Sequence, residues 1–305
     1  MALPLVSSQI AEQIDVITVA RRPITLPRFL ALWHLVSLDA PTVAVVWTLA
    51  IAWAAAVRLD TWIPLLVACG TWTVYVGDRL LDARRAIRSG ILASLRERHY
   101  FHWRHRRKFL AIAICTTTIA GILVHRLMPL ATREHDSVIA GAALAYFSGV
   151  HSRARFPAWL RRITSKELLV GVLFATGCAA PAFSHLPWTF SSASTAWPIF
   201  VCVAFFALLA WLNCAAIECW ESGIEGPQIQ AVAAKICLTG FAITLAFFFT
   251  HRRASALLCS GALSALLLLL LDRSRRWLAP LAVRVFADAV LLVPAILIAP
   301  GSHPG

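Results

Sequence analysis

Residues 74–85 read VYVGDRLLDARR, and they close an apolar run that opens near residue 61. Asp78 and Asp82 are four positions apart, so a helix places both carboxylates on one face at its carboxyl end. That end already carries the negative pole of the helix macrodipole, which disfavours each carboxylate by roughly 0.3–1 kcal/mol. A membrane-length apolar helix that ends on paired acids therefore needs a positive partner at its rim.

The rest of the chain agrees with a membrane setting. Of 305 residues, 59% are hydrophobic and only 14% are charged, and the mean hydropathy is +0.74. Such a composition is too apolar for a water-soluble domain and predicts several membrane spans. The start, MALPLVSSQIAEQIDVITVARR, lacks a basic flank followed by an apolar core and a small-residue cleavage site, so the first span is expected to act as its own insertion signal. Eight cysteines lie almost wholly inside apolar runs with no C-x-x-C pair, which predicts small hydrophobes in place of a disulfide framework or a zinc site.

Apolar stretches of membrane length predict an all-α bundle of about nine helices, near 38–57, 61–82, 109–127, 136–150, 167–184, 196–220, 230–250, 254–271 and 280–299. Residues 1–37 form an amino-terminal segment, 38–299 the membrane domain and 300–305 a short tail. With the amino terminus in the cytoplasm, twenty of the 28 Lys and Arg residues fall on the cytoplasmic side and five on the other. That bias supports both the span count and the orientation, with the carboxyl terminus opposite. The expected location is a bacterial cytoplasmic membrane. Before the first span, PRFLALWHLV reads either as an interfacial helix or as an extension of that span, and SLDAPT reads as a helix start with Asp39 as cap and Pro41 in the first turn.

Residues 211–225, WLNCAAIECWESGIE, repeat the electrostatic theme. Glu218 and Glu221 share a face three positions apart, and an even number of crossings brings them to the same side as Asp78 and Asp82. Between the second and third spans, ARRAIRSGILASLRERHYFHWRHRRK carries nine cations against Glu97 alone. Its targets are anionic lipid or a phosphorylated ligand, not nucleic acid. Two compensations for the four acids stay open: neighbouring arginines such as Arg85, or a divalent cation such as Mg²⁺ that also bridges to phosphate oxygens. His99, His102 and His105 spread over too much of a helix, among too many arginines, to make a metal site. Arg284 and Asp288, four apart in the last span, are expected to pair.

With these residues assembled, the chain resembles the UbiA-type intramembrane prenyltransferases, whose nine helices carry aspartate-rich motifs at the cytoplasmic ends of the second and sixth. The match is that of a divergent member with incomplete motifs. In the first motif Asp78 and Asp82 supply the last two acids, while Val74 and Tyr75 stand where Asn and Asp are expected. In the second, Glu221 fits the last position, Ile217 fills the middle one and Glu218 follows it. YFSGVHSRARFP and KELLVGVLFATGCAAP are similar to the family's basic connection and fifth helix, where Gly171 and Gly177 would let helices approach closely.

The resemblance implies that the helices surround a central cavity, and it implies transfer of a prenyl group from a prenyl diphosphate to an aromatic or other lipophilic acceptor. Asp78, Asp82, Glu218 and Glu221 would be the Mg²⁺ ligands and catalytic acids. Asn213, Arg79, Arg153, Arg155 and Lys166 would contact the substrate. The alternatives are a catalytically degenerate protein that binds isoprenoid lipid, or a transporter; transporters, however, set their ionisable groups near the bilayer midplane.

Overall fold

The computed structural model describes residues 26–89, 97–134, 136–138, 141, 166–186, 193–222 and 227–298, and every regular element among them is helical. In chain order these are α1 (Arg28–Leu35), α2 (Asp39–Ala54), α3 (Trp62–Ser89), α4 (Glu97–Arg104), α5 (Arg106–Leu127), α6 (Lys166–Ser184), α7 (Ala193–Ser222), α8 (Pro227–Phe247), α9 (Arg252–Ser274) and α10 (Pro280–Ala289). A 3₁₀ turn, Arg275–Trp277, follows α9, and a 3₁₀ segment, Val290–Ile298, continues α10.

Six helices are long and apolar enough to cross a membrane, or seven if α1 and α2 count as one bent span. This is consistent with an integral membrane protein. The difference from nine has local causes. The region 136–150 lies almost wholly outside the described residues. The span expected at 61–82 does form a helix, α3, but that helix runs on to Ser89 and its Thr, Trp, Gly and Asp78–Arg79 content leaves it short of the apolarity of the six. The first expected span is only 16 helical residues, about 24 Å at 1.5 Å per residue, against a hydrocarbon core of about 30 Å.

α1 meets α2 at 85°, which excludes a straight extension of the first span. The turn is made by Ser37, whose φ of 61° lies in the left-handed region. A non-glycine residue there costs about 1–2 kcal/mol, and here the Ser37 hydroxyl is held by His102 Nε2 at 3.0 Å. Phe29 and Leu32 of α1 are exposed, as an interfacial helix requires.

Trp47 of α2 anchors the core. Its ring stacks on Phe206 of α7 with centroids 3.8 Å apart, and its Nε1–H donates to the Leu291 carbonyl at 2.9 Å. In a 3₁₀ turn that carbonyl would accept from residue 294, but Pro294 has no N–H. The tryptophan satisfies an acceptor that the proline orphans, tying α2 to the end of the chain. Gly171 lets α6 lie directly on α7: a Cβ there would stand 2.7 Å from the Ala207 carbonyl oxygen and 2.8 Å from the Trp211 nitrogen. Gly177 has no such neighbour within 4 Å, so close approach explains only the first of these two glycines.

α5 sits at the edge of the bundle, packed on α3 through Trp72–Phe109 ring contact and a 3.0 Å Thr73–Thr116 hydroxyl bond. Leu110, Ile112, Ile114, Ile119 and Ile122 point outward, an apolar face suited to lipid.

Candidate functional site

The ends of α7 and α9, the start of α10 and the start of α4 surround an open cleft of about 1170 Å³. Arg98, Arg273, Arg275, Arg276 and Arg284 line it together with Glu97, Glu221 and Asp272, so guanidinium groups outnumber carboxylates. Two of the acids are matched by cross-helix donors. Arg284 forms a very short ion pair with Glu221. Asp272, only 7% exposed, accepts from Trp220 Nε1 at 2.5 Å and Gln230 Nε2 at 2.7 Å, with Arg275 Nε at 3.7 Å. Arg98, Arg273 and Arg276 form no ion pair among the described residues. Those three are the cations left to meet a ligand.

Beneath the cleft lies a buried polar cluster to which five helices each contribute one side chain. His34 of α1, which also lines the cleft, places Nδ1 2.6 Å from Asp39 Oδ2 of α2 and 3.7 Å from Asp288 Oδ2 of α10. Arg79 of α3 approaches Asp39 Oδ2 at 3.7 Å, and Asn213 Nδ2 of α7 donates to Asp288 Oδ1 at 3.2 Å. His34, Asp39, Arg79 and Asn213 are all buried. Although short, the His34–Asp39 contact lacks the angle of a hydrogen bond, and His34 Nδ1 and Nε2, Arg79 Nη1 and Asn213 Oδ1 have no hydrogen-bond partner among the described residues. Buried polar atoms left in this state cost about 1–3 kcal/mol each unless a ligand or solvent meets them.

His102 supports the cluster from α4. Its Nδ1–H donates to the Arg98 carbonyl at 2.8 Å, so Nε2 accepts from the Ser37 hydroxyl, and the ring stacks on Phe109. Burial, with the Arg79 guanidinium as the next cause, holds this imidazole down at about 3. It is therefore a neutral strut that fixes the turn between His34 and Asp39.

The residues singled out in the sequence are distributed unevenly over this site. Arg79 and Asn213 belong to the buried cluster, and Glu221 lines the cleft. Asp78 and Asp82 are half-buried on α3, and Glu218 is exposed. None of these three is among the cleft residues. The described residues bring no three of the four motif acids within metal-ligand spacing of one another; the group that does meet is His34, Asp39 and Asp288. The four acids thus form no three-ligand cluster among the described residues, and arginines supply the positive charge beside Glu221 and Asp272. Lys166 opens α6. Arg153 and Arg155 lie outside the described residues.

His34, Asp39, Asp288 and Asp272 are the site residues that sequence reasoning missed. Asp39 reads as a helix cap and Asp288 as a partner for Arg284, whereas Arg284 reaches across to Glu221 and Asp288 faces His34 and Asn213. The available signal was an ionisable side chain inside or beside an apolar segment, which in a membrane protein marks a site by default.

No protein-family model matches the chain, and no curated protein or solved structure is significantly similar to it. The chemistry must be argued from the residues. A cation-rich cleft at the rim of an apolar bundle can hold a phosphorylated head group while its lipid tail stays among the helices.

Proposed function

We propose that the protein binds a prenyl diphosphate in the arginine-lined cleft and transfers the prenyl group to a lipophilic, electron-rich acceptor within the membrane, as the UbiA-type resemblance implies. The observation that carries this is the surplus of guanidinium over carboxylate in the cleft, with Arg98, Arg273 and Arg276 unengaged by acids. Guanidinium groups fit phosphate oxygens in bidentate geometry. Holding the diphosphate there stabilises the negative charge that develops as the carbon–oxygen bond breaks and the electron pair leaves with diphosphate. The allylic cation is shielded from water among the apolar helices, and the acceptor captures it with loss of a proton.

A second reading, binding of isoprenoid lipid without turnover, is favoured by one specific observation. Glu221, the motif acid in the cleft, is engaged by Arg284, and Glu218 faces outward. Purified protein in nanodiscs, given radiolabelled prenyl diphosphates of several lengths and a panel of phenolic and lipid acceptors, with and without Mg²⁺, separates the two. Transfer that falls with Arg273→Gln or Arg276→Gln supports the enzyme. Saturable binding without product on any acceptor supports the second reading. Absence of saturable binding sinks both.

A further inference from the structure

We propose that His34, Asp39 and Asp288 bind a transition-metal dication of the Mn²⁺, Fe²⁺ or Zn²⁺ class, with the Asn213 amide oxygen as a fourth donor. The three ligand atoms lie within 4.8 Å of one another. Donors at about 2.0–2.2 Å from a common ion stand about 2.8–3.6 Å apart for coordination angles between octahedral and tetrahedral. The observed separations of 2.6 and 3.7 Å from His34 Nδ1 to the two carboxylates bracket that spacing.

Two further observations favour an ion over a bare hydrogen-bond network. His34 is buried with both ring nitrogens lacking a hydrogen-bond partner among the described residues, and its Nδ1 lies 2.6 Å from Asp39 Oδ2, so the imidazole has donor capacity to offer an ion. Asn213 keeps a buried Oδ1 without a donor while its Nδ2 touches Asp288. A half-turn of the amide exchanges the two atoms and directs an oxygen into the cluster. Charge points the same way. Asp39 and Asp288 stand within reach of the same His34 nitrogen, and two carboxylates sharing one site are ionised together only when a cation offsets their repulsion. A dication compensates it, and the imidazole donor selects transition metals over Mg²⁺. His34 also lines the cleft, so the cluster adjoins it. This site uses none of the four motif acids and does not depend on the prenyl diphosphate reading.

The test uses the full chain in detergent, stripped with chelator and titrated with Mn²⁺ alone while the free-ion spin-resonance signal is followed. The expected result is saturable uptake of one ion per chain, with a spin-echo modulation from directly bound nitrogen. Asp288→Asn and His34→Gln should each weaken uptake roughly tenfold or more, whereas Glu134→Gln, at an exposed acid, leaves it unchanged. The nitrogen modulation is read on the unsubstituted protein, so the proposal stays testable if a variant fails to fold. Lack of saturable uptake, uptake without nitrogen coupling, or uptake abolished by Asp82→Asn but not by Asp288→Asn overturns it. So does finding that His34 merely carries a proton between the carboxylates, with no ion taken up.

Discussion

Replacing Gly171 and Gly177 by alanine, one at a time, should move stability in opposite directions although both lie in the same helix. Each change removes glycine from a helix interior, a gain of about 0.8–1.0 kcal/mol. At Gly177 the new methyl meets nothing within 4 Å, so the gain is kept. At Gly171 it would stand 2.7 Å from the Ala207 carbonyl oxygen, about 0.7 Å inside the 3.4 Å at which ordinary contact begins. That oxygen and the Trp211 nitrogen are backbone, so α7 must move as a body. Overpacking of this kind costs about 1–3 kcal/mol, which outweighs the helix gain and leaves a net loss of up to about 2 kcal/mol. Trp211 lies two residues before Asn213, so the same displacement draws the Asn213 amide away from Asp288. The assay is the fraction remaining monodisperse after heating in detergent, read as a midpoint for each variant. A midpoint for Gly171→Ala that rises as much as that for Gly177→Ala would refute the claim that backbone contact at residue 171 sets the α6–α7 distance.

Trp47→Phe keeps most of the stacking on Phe206 but leaves the Leu291 carbonyl without its donor, and should cost about 1–3 kcal/mol; an unchanged midpoint would show that another group satisfies it. For His102, the imidazole sits near 3 in the folded protein against 6.5 for the free side chain, so the unfolded chain takes up the proton first. Its contribution is intact above about pH 6.5 and declines as pH falls towards 3, by at most ~1.4 kcal/mol per pH unit; His102→Gln should flatten the stability–pH curve in that window, and an unaltered slope counts against the buried neutral strut. For the Arg284–Glu221 ion pair, the double substitution Arg284→Gln/Glu221→Gln should destabilise less than the two single changes summed, because each single change strands a half-buried charge; additive midpoints in a double-mutant cycle would deny the coupling.

The helical class and the apolar spans were legible because their signal is local: long runs such as FVCVAFFALLAWLNCAA and LLLLLL fix a membrane-length helix without help from other segments. Where the count fell short, the competing physics was also local, since α2 has only 16 helical residues and the polar content of α3 lowers its apolarity. The candidate site was less legible because its partners are chosen across helices. Asp288 lies four residues from Arg284, a spacing that announces an ion pair, yet Arg284 is taken by Glu221, 63 positions earlier. Arg79 was visible as a charge inside a greasy helix. Nothing in the string VYVGDRLLD says that it would turn to Asp39, because the 85° bend that brings α1 and α2 into place depends on Ser37 and on His102 from another helix.

The electrostatic question raised by the acids at helix carboxyl ends now has a more specific answer than diffuse basic charge. Asp272, in the last turns of α9, receives an indole N–H from α7, an amide from α8 and the Arg275 guanidinium three residues on. Glu221, at the end of α7, receives Arg284 from α10. In each case a donor from a neighbouring helix offsets the unfavourable dipole, so the ends of α7, α8, α9 and α10 are tied together around the cleft by the same contacts that make the carboxylates tolerable. The matching consumes Arg275 and Arg284 and spares Arg98, Arg273 and Arg276. Deeper in, Asp39 stands in the first turn of α2, where the dipole favours a carboxylate and the Ala40 N–H donates to it at 3.0 Å, while Asp288 accepts from the Asn213 amide and approaches His34. The rim of the bundle thus keeps surplus positive charge facing the cleft, while the interior gathers two carboxylates around one imidazole. The proposed phosphorylated head group would answer the first and the proposed dication the second, at different depths.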